Sequence, residues 1–179
     1  MNLKEKYQKE VVSKLMAEFG YANALAVPKI VKATINVGIG RQKEDAKHME
    51  TVERTLERIT GQKPVYTLSK KSIAAFKVRE GMKVGLKVTL RGKRMWSFLD
   101  KLVAVALPRV RDFRGLELKI LDKTGNLNIG FKEHIVFPEI RSDEIEKLHG
   151  LEVAITTTAK NYQIGLALFK YLGFPFKES

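Results

Sequence analysis

An α+β fold, a mostly antiparallel sheet with helices packed on one face and the other face left open, is predicted by three features of the 179-residue chain. Its strand candidates alternate apolar with polar residues. Its helix candidates carry one apolar stripe. Strands and helices mix without strict alternation, and a parallel sheet covered on both sides would instead show continuous apolar runs.

Val11, Val12, Leu15, Met16 and Phe19 recur at helical spacing and Gly20 ends the pattern, which predicts an amphipathic helix over 3–19. After Pro28, Val31, Ala33, Ile35 and Val37 alternate with Lys32, Thr34 and Asn36, a strand with one apolar and one polar side. Met49, Val52, Leu56 and Ile59 form a narrow stripe on a helix over 44–60, with Glu44 and Asp45 favoured at its N-terminus by the helix dipole and Gly61 placed to end it. A short extended segment follows from Pro64 to about Ser69. The clearest strand sets Val84, Leu86, Val88 and Leu90 against Gly85, Lys87, Thr89 and Arg91. Between these two lies a basic loop, Lys70 to Lys83, long for a hairpin and so a functional candidate. A helix over 93–107 turns Met95, Phe98, Leu99, Leu102 and Ala106 inward and stops at Pro108. Strands are predicted around 117–121 and 127–131, a further one over 152–159, and a final helix over 161–172. No linker or repeat divides the chain, so residues 1–179 read as one domain.

The formal net charge of +13 points to a polyanionic partner. Its placement says more than its total. Residues 61–94 hold ten Lys and Arg against the single Glu80, so nine of the thirteen net charges sit in one segment. A solvated surface would spread them, and the clustering favours nucleic acid. There is no cysteine, hence no disulfide framework and no thiolate metal site. Met1 to Met16 alternates charged and apolar residues, unlike a secretion signal, and the apolar run Leu102 to Pro108 is far short of the ~20 residues that span a bilayer. A cytoplasmic, membrane-free protein is the expectation.

If helices cover one side of the sheet, the open side presents Lys32, Thr34, Asn36, Thr67, Ser69, Lys87, Thr89 and Arg91. These donate to phosphate oxygens and ribose hydroxyls, and none is a large aromatic, which favours folded RNA over stacked single strands. Solvated sheet faces are also rich in Thr and Lys, so the pattern is equally that of a plain exposed face. In the loop, cations surround Ile73, Ala74, Ala75 and Phe76, as suits insertion against a second surface or, alternatively, a Phe76 folded back on the core. Catalytic signals are absent. Gly38-Ile39-Gly40 lacks the remainder of a phosphate loop. His48, His134 and His149 are isolated and without ligand spacing, and His134 beside Glu133 reads as a surface histidine. Asp143, Glu144 and Glu146 look like an ordinary charged turn rather than a metal site. No cofactor or catalytic residue is predicted. An RNA-processing or RNA-modifying enzyme on the same basic surface and an anionic-membrane adaptor are the competing classes, the latter disfavoured by the lack of a basic amphipathic helix with exposed aromatics.

The segment Leu56-Glu-Arg-Ile-Thr-Gly-Gln-Lys-Pro-Val-Tyr-Thr-Leu-Ser-Lys-Lys-Ser72 resembles the signature of the fifth large-subunit ribosomal protein family. The resemblance extends through Ile35-Asn-Val-Gly-Ile-Gly40, Gly85-Leu-Lys-Val-Thr-Leu-Arg91, Leu107-Pro-Arg-Val-Arg-Asp-Phe-Arg-Gly115, Ile135-Val-Phe-Pro-Glu-Ile140 and Gly173-Phe-Pro-Phe176. It implies a structural component of the large subunit that binds 5S rRNA in the central protuberance, beside large-subunit rRNA and other protuberance proteins. Carried onto matching positions, it implies 5S rRNA contacts by Lys32, Asn36, Gln62, Thr67, Ser69, Lys70, Thr89 and Arg91. It places peptidyl-site tRNA near Ser72, Ile73, Ala74, Ala75, Phe76, Lys77, Val78, Arg79, Glu80 and Gly81. A bridge to a small-subunit head protein is implied at Arg109, Arg111, Asp112, Arg114, Arg141 and Lys147. Where the family has Phe-Asp-Gly-Arg-Gly-Asn-Tyr, this chain has Leu121-Asp-Lys-Thr-Gly-Asn-Leu127, and the last helix begins at Lys160-Asn-Tyr-Gln163 rather than with acidic residues.

Overall fold

A computed structural model describes residues 1–40, 45–141 and 147–177. The fold is α+β, with a five-stranded sheet in the order β2-β3-β1-β5-β4. Here β1 is Ile30–Gly38, β2 Val65–Leu68, β3 Lys83–Leu90, β4 Leu127–Phe131 and β5 Leu151–Thr157. The chain forms two compact units, Met1–Ala33 with Leu90–Ile129 and Ala154–Ser179, and Thr34–Thr89 with Gly130–Val153. Every strand except β2 contributes residues to both.

Burial follows the alternation read from the sequence. In β1, Ala33, Ile35 and Val37 are buried while Asn36 is exposed, and in β3, Leu86, Val88 and Leu90 are buried while Lys87 is exposed. In β5, Leu151, Val153 and Ile155 point inward and Glu152 outward.

In the first unit, helix α1 comprises Leu3–Lys6, a π-helical turn Tyr7–Val11 and Val12–Phe19. Asn2 caps it by accepting the Glu5 N–H (2.8 Å), and Gly20, at φ 69°, closes it in the left-handed region. The Leu3 N–H donates to Asp100 Oδ1 (2.7 Å), and Tyr7 stacks obliquely on Trp96 at 5.8 Å. These contacts dock α1 on helix α3, which runs Gly92–Lys101 and continues as a π-helical turn Leu102–Ala106. The stripe Met95, Phe98, Leu99, Leu102 and Ala106 is buried as predicted. Helix α4, Tyr162–Leu172, is capped by Asn161, whose Oδ1 accepts the Ile164 N–H (3.0 Å).

The strand expected at 117–121 is not formed. Leu118–Ile120 is a 3₁₀ turn, with the Ile120 N–H bonded to Glu117 O and the Leu121 N–H to Leu118 O (both 3.2 Å). The buried residues are Leu116 and Leu121, at odd spacing, whereas Leu118 is exposed. A strand keeps one face only at even spacing, so the chain coils to bury both leucines.

The adjoining turn is held from within. The Asp122 carboxylate accepts both the N–H and the hydroxyl of Thr124 (2.9 Å each), and the N–H and side-chain amide of Asn126 (2.8 and 2.9 Å). Asn126 Oδ1 and the Gly125 carbonyl in turn accept from the backbone N–H and the hydroxyl of Thr157. The polar groups of Leu121–Leu127 thus serve the fold of this unit.

In the second unit, helix α2 spans Ala46–Thr60 and buries Val52, Leu56 and Ile59. Asp45 is its N-cap, accepting the His48 N–H (3.0 Å), and Gly61 ends it. Glu44 lies outside the described residues.

Candidate nucleic-acid interface

β2 pairs antiparallel with β3, Val65 opposite Lys87, Tyr66 opposite Leu86 and Thr67 opposite Gly85. Directly opposed residues share a side of the sheet. Leu86 is buried, so Val65, Lys87 and Thr67 lie on the outer side, where Asn36 of β1 is also exposed. Thr34, Thr67 and Thr89 are half-buried. Val65, 62% exposed, is a member the sequence did not nominate. An apolar residue in a short strand ordinarily marks the core, and only the register reveals that it faces out.

Gly85 is on the outer side yet buried. A β-carbon there would stand 2.8 Å from Thr67 Oγ1 and 2.8 Å from the Val37 carbonyl oxygen. The Thr67 hydroxyl therefore occupies the space a side chain at 85 would need. Gly85→Ala is expected to destabilise the protein by about 1–3 kcal/mol, the usual cost of overpacking, measured by urea denaturation.

Gln62 is fixed from two sides. Its side-chain amide donates to Thr89 O (3.3 Å), and its N–H donates to Thr60 Oγ1 (3.2 Å), which itself donates to Leu56 O. Tyr66 donates to Glu53 Oε2 (2.7 Å), Lys63 reaches Glu53 Oε1 at 3.7 Å, and Lys83 Nζ sits 4.1 Å over the Tyr66 ring. The bond to Glu53, aided by burial, pushes the Tyr66 hydroxyl up to about 12, so it stays a donor. Lys70, Lys71 and Lys87 are exposed.

The long loop is a set of nested turns. The outer tier joins the Ser69 N–H to Met82 O (2.8 Å) and the Gly81 N–H to Ser69 O (2.9 Å). The Glu80 N–H reaches Ser72 Oγ (3.0 Å) and Ser69 Oγ donates to Lys71 O (2.7 Å). At the tip, Ile73 and Val78 exchange both backbone bonds (2.8 and 3.1 Å), and Lys77 takes a left-handed conformation at φ 50°. Phe76 is 70% exposed, so of the two alternatives left open by the sequence it is presented outward rather than folded onto the core.

The expected 5S contacts Asn36, Gln62, Thr67, Ser69, Lys70 and Thr89 all belong to the second unit. Lys32, half-buried on β1, and Arg91, exposed just past β3, belong to the first. Arg109, Arg111 and Arg114 are exposed in the turns of the first unit, with Asp112 at φ 54°. Arg141 is exposed in the second unit, and Lys147 pairs with Asp45 (2.6 Å). The residues between them, including Asp143, Glu144 and Glu146, lie outside the described residues.

The histidines correct the sequence expectation. His134 is not on the surface; it is 3% exposed, His48 6% and His149 8%, and they are gathered rather than isolated. The His134 and His149 rings stack at 3.9 Å and 14°, and His48 meets His149 edge-on at 6.1 Å. All three come from segments far apart in the sequence, so no local signal announced this. Even so, no group of three metal-ligating residues placed to hold an ion exists among the described residues.

Residues 23–79 match the family model described as Ribosomal protein L5, and residues 83–176 match the model of the same ribosomal family's C-terminus. The chain belongs to the ribosomal protein L5 family. It is 52% identical over 176 residues to the large ribosomal subunit protein uL5 of Halothermothrix orenii, 53% over 176 to that of Roseiflexus sp., and 54% over 175 to that of Francisella philomiragia. Each alignment covers 98% of both chains. As an L5 protein it has a structural role in the ribosome and is not an enzyme. Among the described residues no helix is long and apolar enough to cross a membrane.

Proposed function

We propose that this L5 protein binds 5S rRNA through the outer side of β1, β2 and β3 and fastens it in the central protuberance of the large subunit, beside large-subunit rRNA and other protuberance proteins. The observation that carries the proposal is the outward set Thr67, Lys87 and Thr89, in the segment that holds most of the excess positive charge, together with Asn36 of β1. Amide, hydroxyl and ammonium donors on a pleated surface without aromatic plates fit the phosphates and ribose hydroxyls of a folded RNA. Gln62, Ser69 and Lys70 extend that set, and Lys32 and Arg91 continue it along β1 and β3. The Ser72–Gly81 turns, with Phe76 at their tip, face peptidyl-site tRNA. Arg109, Arg111, Asp112, Arg114, Arg141 and Lys147 bridge to a small-subunit head protein.

Asn36→Ala and Arg91→Ala are each expected to weaken 5S rRNA binding by about 1–3 kcal/mol, the range for lost polar and charge-assisted hydrogen bonds. Titration of labelled 5S rRNA with purified protein measures this. Unchanged affinity in both variants, or equal affinity for an unrelated RNA duplex, would remove the sheet from the interface.

A further inference from the structure

His48, His134 and His149 take no part in the proposed RNA surface, and their arrangement is unsuited to positive charge. The segments that carry His134 and His149 are tied by a backbone bond and a backbone-to-ring bond. The His134 N–H donates to His149 O (3.1 Å), and the His149 N–H lies 3.3 Å from His134 Nδ1 as its acceptor. A neutral His134 with its proton on Nε2 accepts that second bond. A proton on Nδ1 turns the acceptor into a donor, which gives up the His149 N–H and meets the His149 carbonyl oxygen instead (3.2 Å).

His149 has no outlet either. Among the described residues neither of its ring nitrogens makes a hydrogen bond, nor does His48 Nδ1, and the Lys147 backbone offers a proton on His149 only minor compensation. The ring stacked on His134 and the edge of His48 would each oppose a charge on it. The charged groups around the trio do not offset this. Asp45 beside His48 is committed to the His48 N–H and to Lys147, itself a cation, and Glu133 faces His134 alone. Burial, and then the neighbouring imidazoles, push His149 down to about 3, and burial lowers His48 and His134 as well.

We propose that the three imidazoles form an acid-operated latch: while neutral they pin Lys147–Gly150 beside His134 and His48, and a proton on His149 releases that segment. The folded pKa of His149 lies below that of a free histidine. The latch is therefore fully closed above about pH 6.5 and weakens as pH falls from there toward 3. The consequence reaches the loop described above, because His48 and His149 line one cavity of about 1320 Å³ with Ser69, Ile73, Phe76 and Lys77.

Amide hydrogen exchange on the whole protein tests this without RNA. A released histidine titrating near 6.5 shifts the opening equilibrium about thirtyfold between pH 7.5 and 5.0. Protection of the His149 amide, corrected for the intrinsic pH dependence of exchange, is expected to fall by that factor. In His149→Phe, which keeps a stacked ring without a proton site, the fall should shrink to threefold or less. His149→Leu, which likewise removes the proton site, serves the same purpose if the phenylalanine variant does not fold. Imidazole ring-proton shifts in the unaltered protein give a readout that needs no variant. A His149 that titrates near 6.5 with its amide still protected overturns the latch, as does an undiminished pH dependence in a folded variant.

Discussion

Raising salt from 50 to 200 mM should weaken 5S rRNA binding about a hundredfold, the loss set by counterion release from roughly four neutralised phosphates. Of the cations in the proposed interface, Lys70, Lys87 and Arg91 are exposed and Lys32 is half-buried. Four such contacts predict a log–log slope of about −3 to −4. The slope separates charge from recognition. Replacing Lys70 and Lys87 with Ala should reduce it by about 2 while leaving the preference for 5S over unrelated duplex RNA. Asn36→Ala should lower affinity with the slope unchanged, because a neutral amide displaces no counterion. Fluorescence anisotropy across a salt series reads both. A slope near zero would mean that the clustered cations do not touch the RNA.

Gly165→Ala should be among the most destabilising single substitutions in the first unit. A β-carbon at Gly165 would run into Gly125 Cα and lie 2.8 Å from the Gly125 carbonyl oxygen. Gly125 cannot yield readily. It sits at φ 82°, its carbonyl accepts the Thr157 hydroxyl, and its neighbours are bonded to Asp122. Overpacking against backbone costs about 1–3 kcal/mol, occasionally more. A chain of this length should lose about 2–4 °C in Tm per kcal/mol. Calorimetry on the purified protein measures the shift, and an unchanged Tm would mean that α4 can back away from the Asp122 turn at no cost. The same packing steadies the turn at Leu121–Leu127, where the Asp122 carboxylate is bonded to Thr124 and Asn126.

Much of the fold was legible because alternation and helical spacing are local. Leu86, Val88 and Leu90 against Lys87 and Thr89 could be assigned to two sides from β3 alone, and burial follows that assignment. What escaped depends on pairing across distance. The strand expected around 117–121 did not form, because the pair that must be buried, Leu116 and Leu121, is at odd spacing. Val65 was not nominated for the outer side because its orientation is fixed by Lys87 across the ladder. The histidines looked solitary because three remote segments bring them together. The π turns in α1 and α3 left the apolar stripes unbroken, so periodicity read each as one regular helix.

The Ser69–Met82 turns are already closed on themselves through Ser69, Ser72 and the Ile73–Val78 pair. Nothing there has to fold at the moment of encounter. The conformational entropy of ordering such a segment, otherwise subtracted from affinity at about 0.5–1.5 kcal/mol per immobilised side chain, is largely settled when the chain first folds. Docking at this tip should be quick and nearly rigid-body, with little of the heat-capacity change that accompanies coupled folding.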